Sequence, residues 1–163
     1  MILTRDHNGE IDVSIDGREL DSFKEILKLD NSKELLKYLY YMYHPDSEFS
    51  NMLPGSRKKL VEREIIGHAV KETAVLKRAI ETYNEICMDP KQLLLEGVKK
   101  KIEEYINFWQ NTPIDIDNHD KLTKALVNSE KLLAIKKKME DDVMDARNAK
   151  VYGGGSASMF END

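Results

Sequence analysis

Cysteine is almost missing from this 163-residue chain. Cys87 stands alone, which excludes a disulfide within the chain and any zinc set built on several thiolates. Long apolar runs are missing too. None approaches the roughly 20 residues that cross a bilayer, so no membrane partner is expected. Positive charge is not in excess: 25 Lys and Arg stand against 30 Asp and Glu, a net charge of -5. That balance argues against a protein that wraps nucleic acid with a basic surface. The start, MILTRDHNGE, has no basic segment followed by an apolar stretch and a small-residue cleavage site, so no secretory leader is expected.

The patterns that carry chemistry are also missing. Gly153-Gly154-Gly155 is followed by neither a helix nor a Lys-Ser/Thr pair, so it cannot cradle a phosphate. His7, His44, His68 and His119 are dispersed, with no HExxH spacing for zinc. Asp12-x-Ser14-x-Asp16-Gly17 opens like a calcium loop, but Phe23 stands where the closing bidentate Glu belongs. Asp115-x-Asp117-x-His119-Asp120 fails in the same way, with Leu126 at the closing position and no glycine at the turn. Glu62, Glu64, Glu103 and Glu104 lack the Glu-x-x-His partner of a carboxylate metal site, and no G-x-S-x-G elbow frames a nucleophile. The expectation is a non-enzyme, with no catalytic residue, no cofactor and no metal.

What is present is charge and helical spacing. Charged residues make up 34% of the chain, and Lys, Glu and Leu recur at helical intervals. The first segment is different: Asn8-Gly9 is a hairpin turn, and Ile11, Val13 and Ile15 alternate with polar residues as a half-buried strand does. Phe23, Ile26 and Leu27 predict a short helix, and Asp30-Asn31-Ser32 caps a second that ends at His44, before Pro45. From Ser56 an N-capped stripe runs through Val61, Ile65, Ala69, Thr73, Leu76, Ile80, Tyr83 and Cys87. It predicts one helix over 57–88, with Gly67 the place where it bends or splits. Asp89-Pro90 starts another helix, striped by Leu94, Val98, Ile102, Tyr105 and Trp109. The last helix is striped by Leu122, Leu126, Ser129, Leu133, Lys136, Met139 and Val143. The lysine runs, Lys99-Lys100-Lys101 among them, read as solvated faces. The fold class predicted is mainly α: an antiparallel bundle of long helices with a small N-terminal β-hairpin and an extended C-terminal tail. Its parts are a hairpin over 1–18, a helical bundle over 19–148 and a Gly-rich arm over 149–163.

One stretch stands apart, KYLYYMYHPDSEFSNMLPGSRKK over 37–59. Its helix has no polar face in its last two turns, so it is either a central core helix or an interface helix. The aperiodic run that follows is long for a compact domain, and Asp46-Ser47 and Pro54-Gly55 give it turns. Arg57, Lys58 and Lys59 open the next predicted helix where its dipole disfavours them, which predicts an acidic partner, either Asp46 or Glu48 or a group on another chain. Tyr40-Tyr41, Asp46, Ser47, Phe49, Asn51, Pro54 and Arg57 together resemble a block in structural proteins of tailed bacteriophages, the crAss-like phages in particular. The resemblance covers about a sixth of the chain. It implies a virion component, a ring subunit of the head–tail connector or neck, assembled in the bacterial host cytoplasm. It implies a cyclic oligomer of this chain that meets neighbouring portal, neck or tail proteins, with DNA at most passing through the channel. On that reading Tyr38, Tyr41, Tyr43, Asp46, Phe49 and Arg57 shape a partner-binding loop, and Met159 and Phe160 anchor the tail on a neighbour. The alternative is a cytoplasmic helical module, a regulator or inhibitor that binds one host protein through the same helix.

Overall fold

The computed structural model describes residues 2–113, 115 and 118–152. The chain is mainly α with a two-stranded N-terminal hairpin, and it divides into two compact units between Thr112 and Pro113. This division by compactness differs from the partition by element type drawn from the sequence.

In the first unit β1 (Leu3–Arg5) pairs antiparallel with β2 (Ile11–Val13), Leu3 opposite Val13 and Arg5 opposite Ile11. The turn closes where Gly9 takes a φ of 82°, and the Asp6 carboxylate accepts from the backbone N–H groups of Asn8 at 2.9 Å and Glu10 at 2.8 Å. Leu3, Ile11 and Val13 are buried. Ile15, expected as the next inward residue, is 85% exposed. The strand stops because Ser14 caps a short helix, α1 (Ile15–Arg18), its hydroxyl accepting from the Gly17 N–H at 3.2 Å.

Helices α2 (Asp21–Leu27) and α3 (Ser32–Tyr43) follow as the spacing predicts. Helix α3 packs on β2, α2 and the elements that follow it, and it buries Leu35, Leu36, Tyr38, Leu39, Tyr40, Tyr41 and Met42. Of the two readings left open for this helix, core and interface, the fold takes core. A helix without a polar face is satisfied only by neighbours on most sides.

The helix predicted over 57–88 is split. Helix α4 (Pro54–Leu60) starts two residues before Ser56, with Pro54 in its first turn, and passes into a π-helical segment, Val61–Ile66. That segment closes on Gly67, whose N–H donates to Glu62 O at 2.8 Å and whose φ is +90°. A left-handed residue cannot continue a right-handed helix. The connection beyond it is pinned by buried Val70, by a Glu62 carboxylate that accepts from the Val70 N–H at 3.0 Å, and by the His68 ring 3.3 Å from Glu34. Helix α5 (Ala74–Cys87) then starts on Thr73, whose hydroxyl accepts from the Leu76 N–H at 3.3 Å.

Helix α6 (Pro90–Asn111) opens with a reciprocal cap: Asp89 accepts from the Gln92 N–H at 2.9 Å, and Gln92 accepts from the Asp89 N–H at 3.2 Å. Its buried line is Leu95, Lys99 and Ile102, and Leu94, which headed the predicted stripe, is 61% exposed. Ile102 is common to both lines, and Leu95 and Lys99 take the buried places expected of Leu94 and Val98.

The second unit is built on α7 (His119–Tyr152), 34 residues that span about 51 Å at the α-helical rise. Asp115 and Asn118 exchange backbone-to-side-chain bonds of 2.9 and 3.0 Å just before it. The helix includes 149–152, four residues that the sequence reading gave to the Gly-rich arm. Leu126 and Leu133, expected on the inward stripe, are both exposed.

Gly67 has open space where a Cβ would stand, so Gly67→Ala tests backbone strain alone. A loss of about 1 kcal/mol in chemical denaturation is expected, from the cost of a non-glycine residue at positive φ.

Candidate functional site

The run after α3 has no regular hydrogen-bond ladder, so its carbonyls need partners from elsewhere. Two cations supply them. Arg57, in the last turn of α4 and 3% exposed, donates from Nη1 to Met42 O at 2.6 Å, and from Nη2 to Ser50 O at 2.8 Å and Met52 O at 3.0 Å. The same Nη2 meets Glu96 Oε1 of α6 at 3.0 Å. Lys99, one turn further along α6 and 1% exposed, donates from Nζ to that Glu96 oxygen at 2.8 Å and to Ser50 O at 2.5 Å. Three backbone carbonyls and one shared carboxylate thus hold two buried positive charges. Arg57 Nε is buried with no acceptor. Glu103, further along α6, accepts from the Gly55 N–H at 2.9 Å and ties the first turn of α4 to the same helix.

The floor beneath this clamp is aromatic. Tyr41 meets Tyr40 edge-on at 5.4 Å and Phe49 at 5.7 Å, and Tyr40 stacks on His44 at 4.4 Å. His44 Nδ1 accepts from the Asp46 N–H at 3.0 Å, and Ser47 donates its hydroxyl to Tyr41 O at 3.0 Å. From the hairpin, Arg5 lies 5.8 Å above the Tyr41 ring and pairs with Glu48 at 3.1 Å.

The residues expected to shape a partner-binding loop are therefore brought together, but in different roles. Tyr38 and Tyr41 are buried in the core, Tyr43 and Phe49 are half-buried, and Asp46 is exposed. Arg57 is a clamp beneath the loop. Met159 and Phe160 lie outside the described residues. The acidic partner expected for the basic turn exists, but it is Glu96 for Arg57 and Glu72, at 3.1 Å, for Lys58; Glu48 is taken by Arg5. Lys99 was missed, because a Lys-Lys-Lys run reads as a solvated face. One signal was available: Glu96 and Lys99 lie three apart on the helix, at a spacing that allows an ion pair.

Burial is the first cause of the tyrosine shifts. It raises the Tyr38 phenol, and it pushes Tyr43 up to about 12, with Glu72 adding and Arg57 opposing. Tyr38 Oη is buried with no hydrogen-bond partner. Among the described residues no group of three or more His, Cys, Asp or Glu stands together to hold a metal. A groove of about 490 Å³ between the hairpin and the start of α3 is open and mixed in charge, with Asp6, Asp12, Lys33 and Lys37 on its walls. No family model, curated protein or solved structure matches the chain.

Removing Arg57 leaves Glu96 and the carbonyls of Met42 and Met52 short of a donor. Arg57→Ala is expected to lose about 3 kcal/mol in urea unfolding. Arg57→Lys should recover only part of that, since one ammonium cannot span the same acceptors. Alkali gives a second check. A phenol whose folded pKa lies above its unfolded value stabilises the fold fully below about pH 10, and this contribution is lost as pH rises from there through the folded pKa. For Tyr43 that window is about pH 10 to 12. Tyr43→Phe should flatten the fall in stability across it, as followed by circular dichroism.

Proposed function

We propose that this chain is a non-enzymatic virion structural protein, the subunit of a ring in the head–tail connector or neck of a tailed bacteriophage. The observation that carries the reading is α7. Leu126, Leu133 and Met144 are exposed and fall within about 20° of one another on a helix of 34 residues, beside the buried line of Leu122, Ala125 and Val143. An apolar strip repeated along an exposed side of a long helix has free energy to gain from a protein partner. A subunit that packs into a ring meets that demand, and its neighbours in the ring supply the same surface again.

The clamp fits the same reading. The run that resembles the phage block is a shaped loop, held to α6 by Arg57 and Lys99 and to the hairpin by Arg5. A loop fixed before it meets a partner loses little entropy on docking. Asp46 and Glu48 are its exposed charges, and Phe49 beside them is half-buried. Lys and Arg are outnumbered by Asp and Glu, which suits a channel that passes DNA without gripping it. Assembly would take place in the host cytoplasm, on neighbouring portal, neck or tail proteins. No helix among the described residues is long and apolar enough to cross a membrane.

Native mass spectrometry of the full chain at high concentration, alone and with candidate neck proteins, tests this. Closed oligomers of one size are expected, and a version ending at Tyr152 should assemble less well if Met159 and Phe160 anchor a neighbour. A chain that stays monomeric with every phage partner, or that binds a single host protein one to one, would replace the ring with the cytoplasmic regulator or inhibitor.

A further inference from the structure

Helix α6 carries a glycine that its own chain does not explain. Gly97 lies in the middle of 22 helical residues, where glycine is the least favourable residue after proline. A Cβ there would meet nothing within 4 Å. Neither close packing nor an unusual φ requires it within this fold. It sits in a line of exposed residues spaced by three and four: Leu94, Gly97, Lys101, Glu104, Phe108 and Asn111. At the α-helical pitch these six fall within about 100° of one another, on the side away from buried Leu95, Lys99 and Ile102. Leu94 is 61% and Phe108 39% exposed, and Lys101 and Glu104 pair with each other at 2.6 Å in open solvent.

When the line is reversed two of its three pairings are complementary, and the third sets Leu94 opposite the partner's Asn111 at the ends. Placing a two-fold axis between Ile102 and Glu103 sets Gly97 opposite the partner's Phe108, and Lys101 opposite the partner's Glu104. The smallest residue on the face meets its largest ring, and each charge meets its opposite, twice over by symmetry. The spacing of three and four is the one on which helices interlock side by side. We infer that α6 pairs antiparallel with the α6 of a second copy of this chain, the ring of Phe108 entering the notch at Gly97. A contact of this kind closes on itself, whereas a ring needs a head-to-tail contact, so the pairing stands independently of the ring reading.

Sedimentation equilibrium on the full chain tests it, with circular dichroism to confirm folding. The wild type should show a concentration-dependent two-fold step in mass. Lys101→Glu and Glu104→Lys should each weaken that step about ten-fold or more, since like charges then face each other. The double swap in one chain should restore it, and mixing the two single variants should restore it as a mixed dimer. Gly97→Leu should raise the melting temperature of the monomer, because leucine is a good helix former in open space, and weaken the dimer at the same time. A step in mass unaffected by the charge swaps, a double swap or a mixture that fails to restore it, or no step at any concentration would overturn the pairing. A ring lost while the charge-dependent dimer survives would count against the ring reading alone.

Discussion

Glu96 carries one negative charge between two buried positive ones, and the loop between α3 and α4 depends on that arrangement. Desolvating three charges in a small protein is unfavourable unless every available lone pair is used. Here the loop itself completes the set. The carbonyls of Met42, Ser50 and Met52, which have no ladder to join, accept from Arg57 and Lys99. Each side removes the other's desolvation penalty: the cations satisfy carbonyls that would otherwise be orphaned, and the carbonyls solvate cations that would otherwise be stranded. Because Arg57 belongs to α4 and Glu96 and Lys99 to α6, the same bonds hold two helices at one distance. Glu103 adds a further tie from α6 to the start of α4.

The aromatic residues take their places from this constraint. With the loop fixed over the end of α3, Tyr41 and Phe49 close on each other and Tyr40 and His44 stack beneath. Dense tyrosine in the sequence thus becomes a packed floor. Tyr38 is the extreme case, with a buried hydroxyl that has no partner, and its raised pKa reflects the same burial. The exposed part of this face is the loop's rim, at Asp46 and Glu48.

Much of the architecture was legible in short local signals. Asn8-Gly9 placed the hairpin, Pro45 ended α3, and Asp89-Pro90 opened α6 with a reciprocal cap. These rules act within four or five residues, so the sequence displays them directly. What was not legible depended on partners distant in the chain. Gly67 was legible as the place where the stripe from Val61 to Cys87 bends or splits, and what spacing could not register is the crossing beyond it that Glu62 and Glu34 hold. Lys99 looks like its neighbours Lys100 and Lys101 until Ser50, 49 residues away, comes to meet it. The tyrosines of the candidate site lie mostly inward, as the core reading of their helix, one of the two the sequence left open, has it, and Asp46 and Glu48 form the exposed rim.

The division between Thr112 and Pro113 also orders events in time. A chain made from its N-terminus delivers Ser50, Arg57, Glu96, Lys99 and Glu103 before any residue of α7. Every bond of the clamp therefore lies in the part synthesised first, and domains tend to fold in the order in which they emerge. Helix α7 arrives last and forms from contacts only a few residues apart, a fast process by comparison. The exposed leucines of α7 thus appear only after the first unit has had the opportunity to close, which shortens the interval in which an unfinished loop and those exposed apolar side chains are present on one nascent molecule.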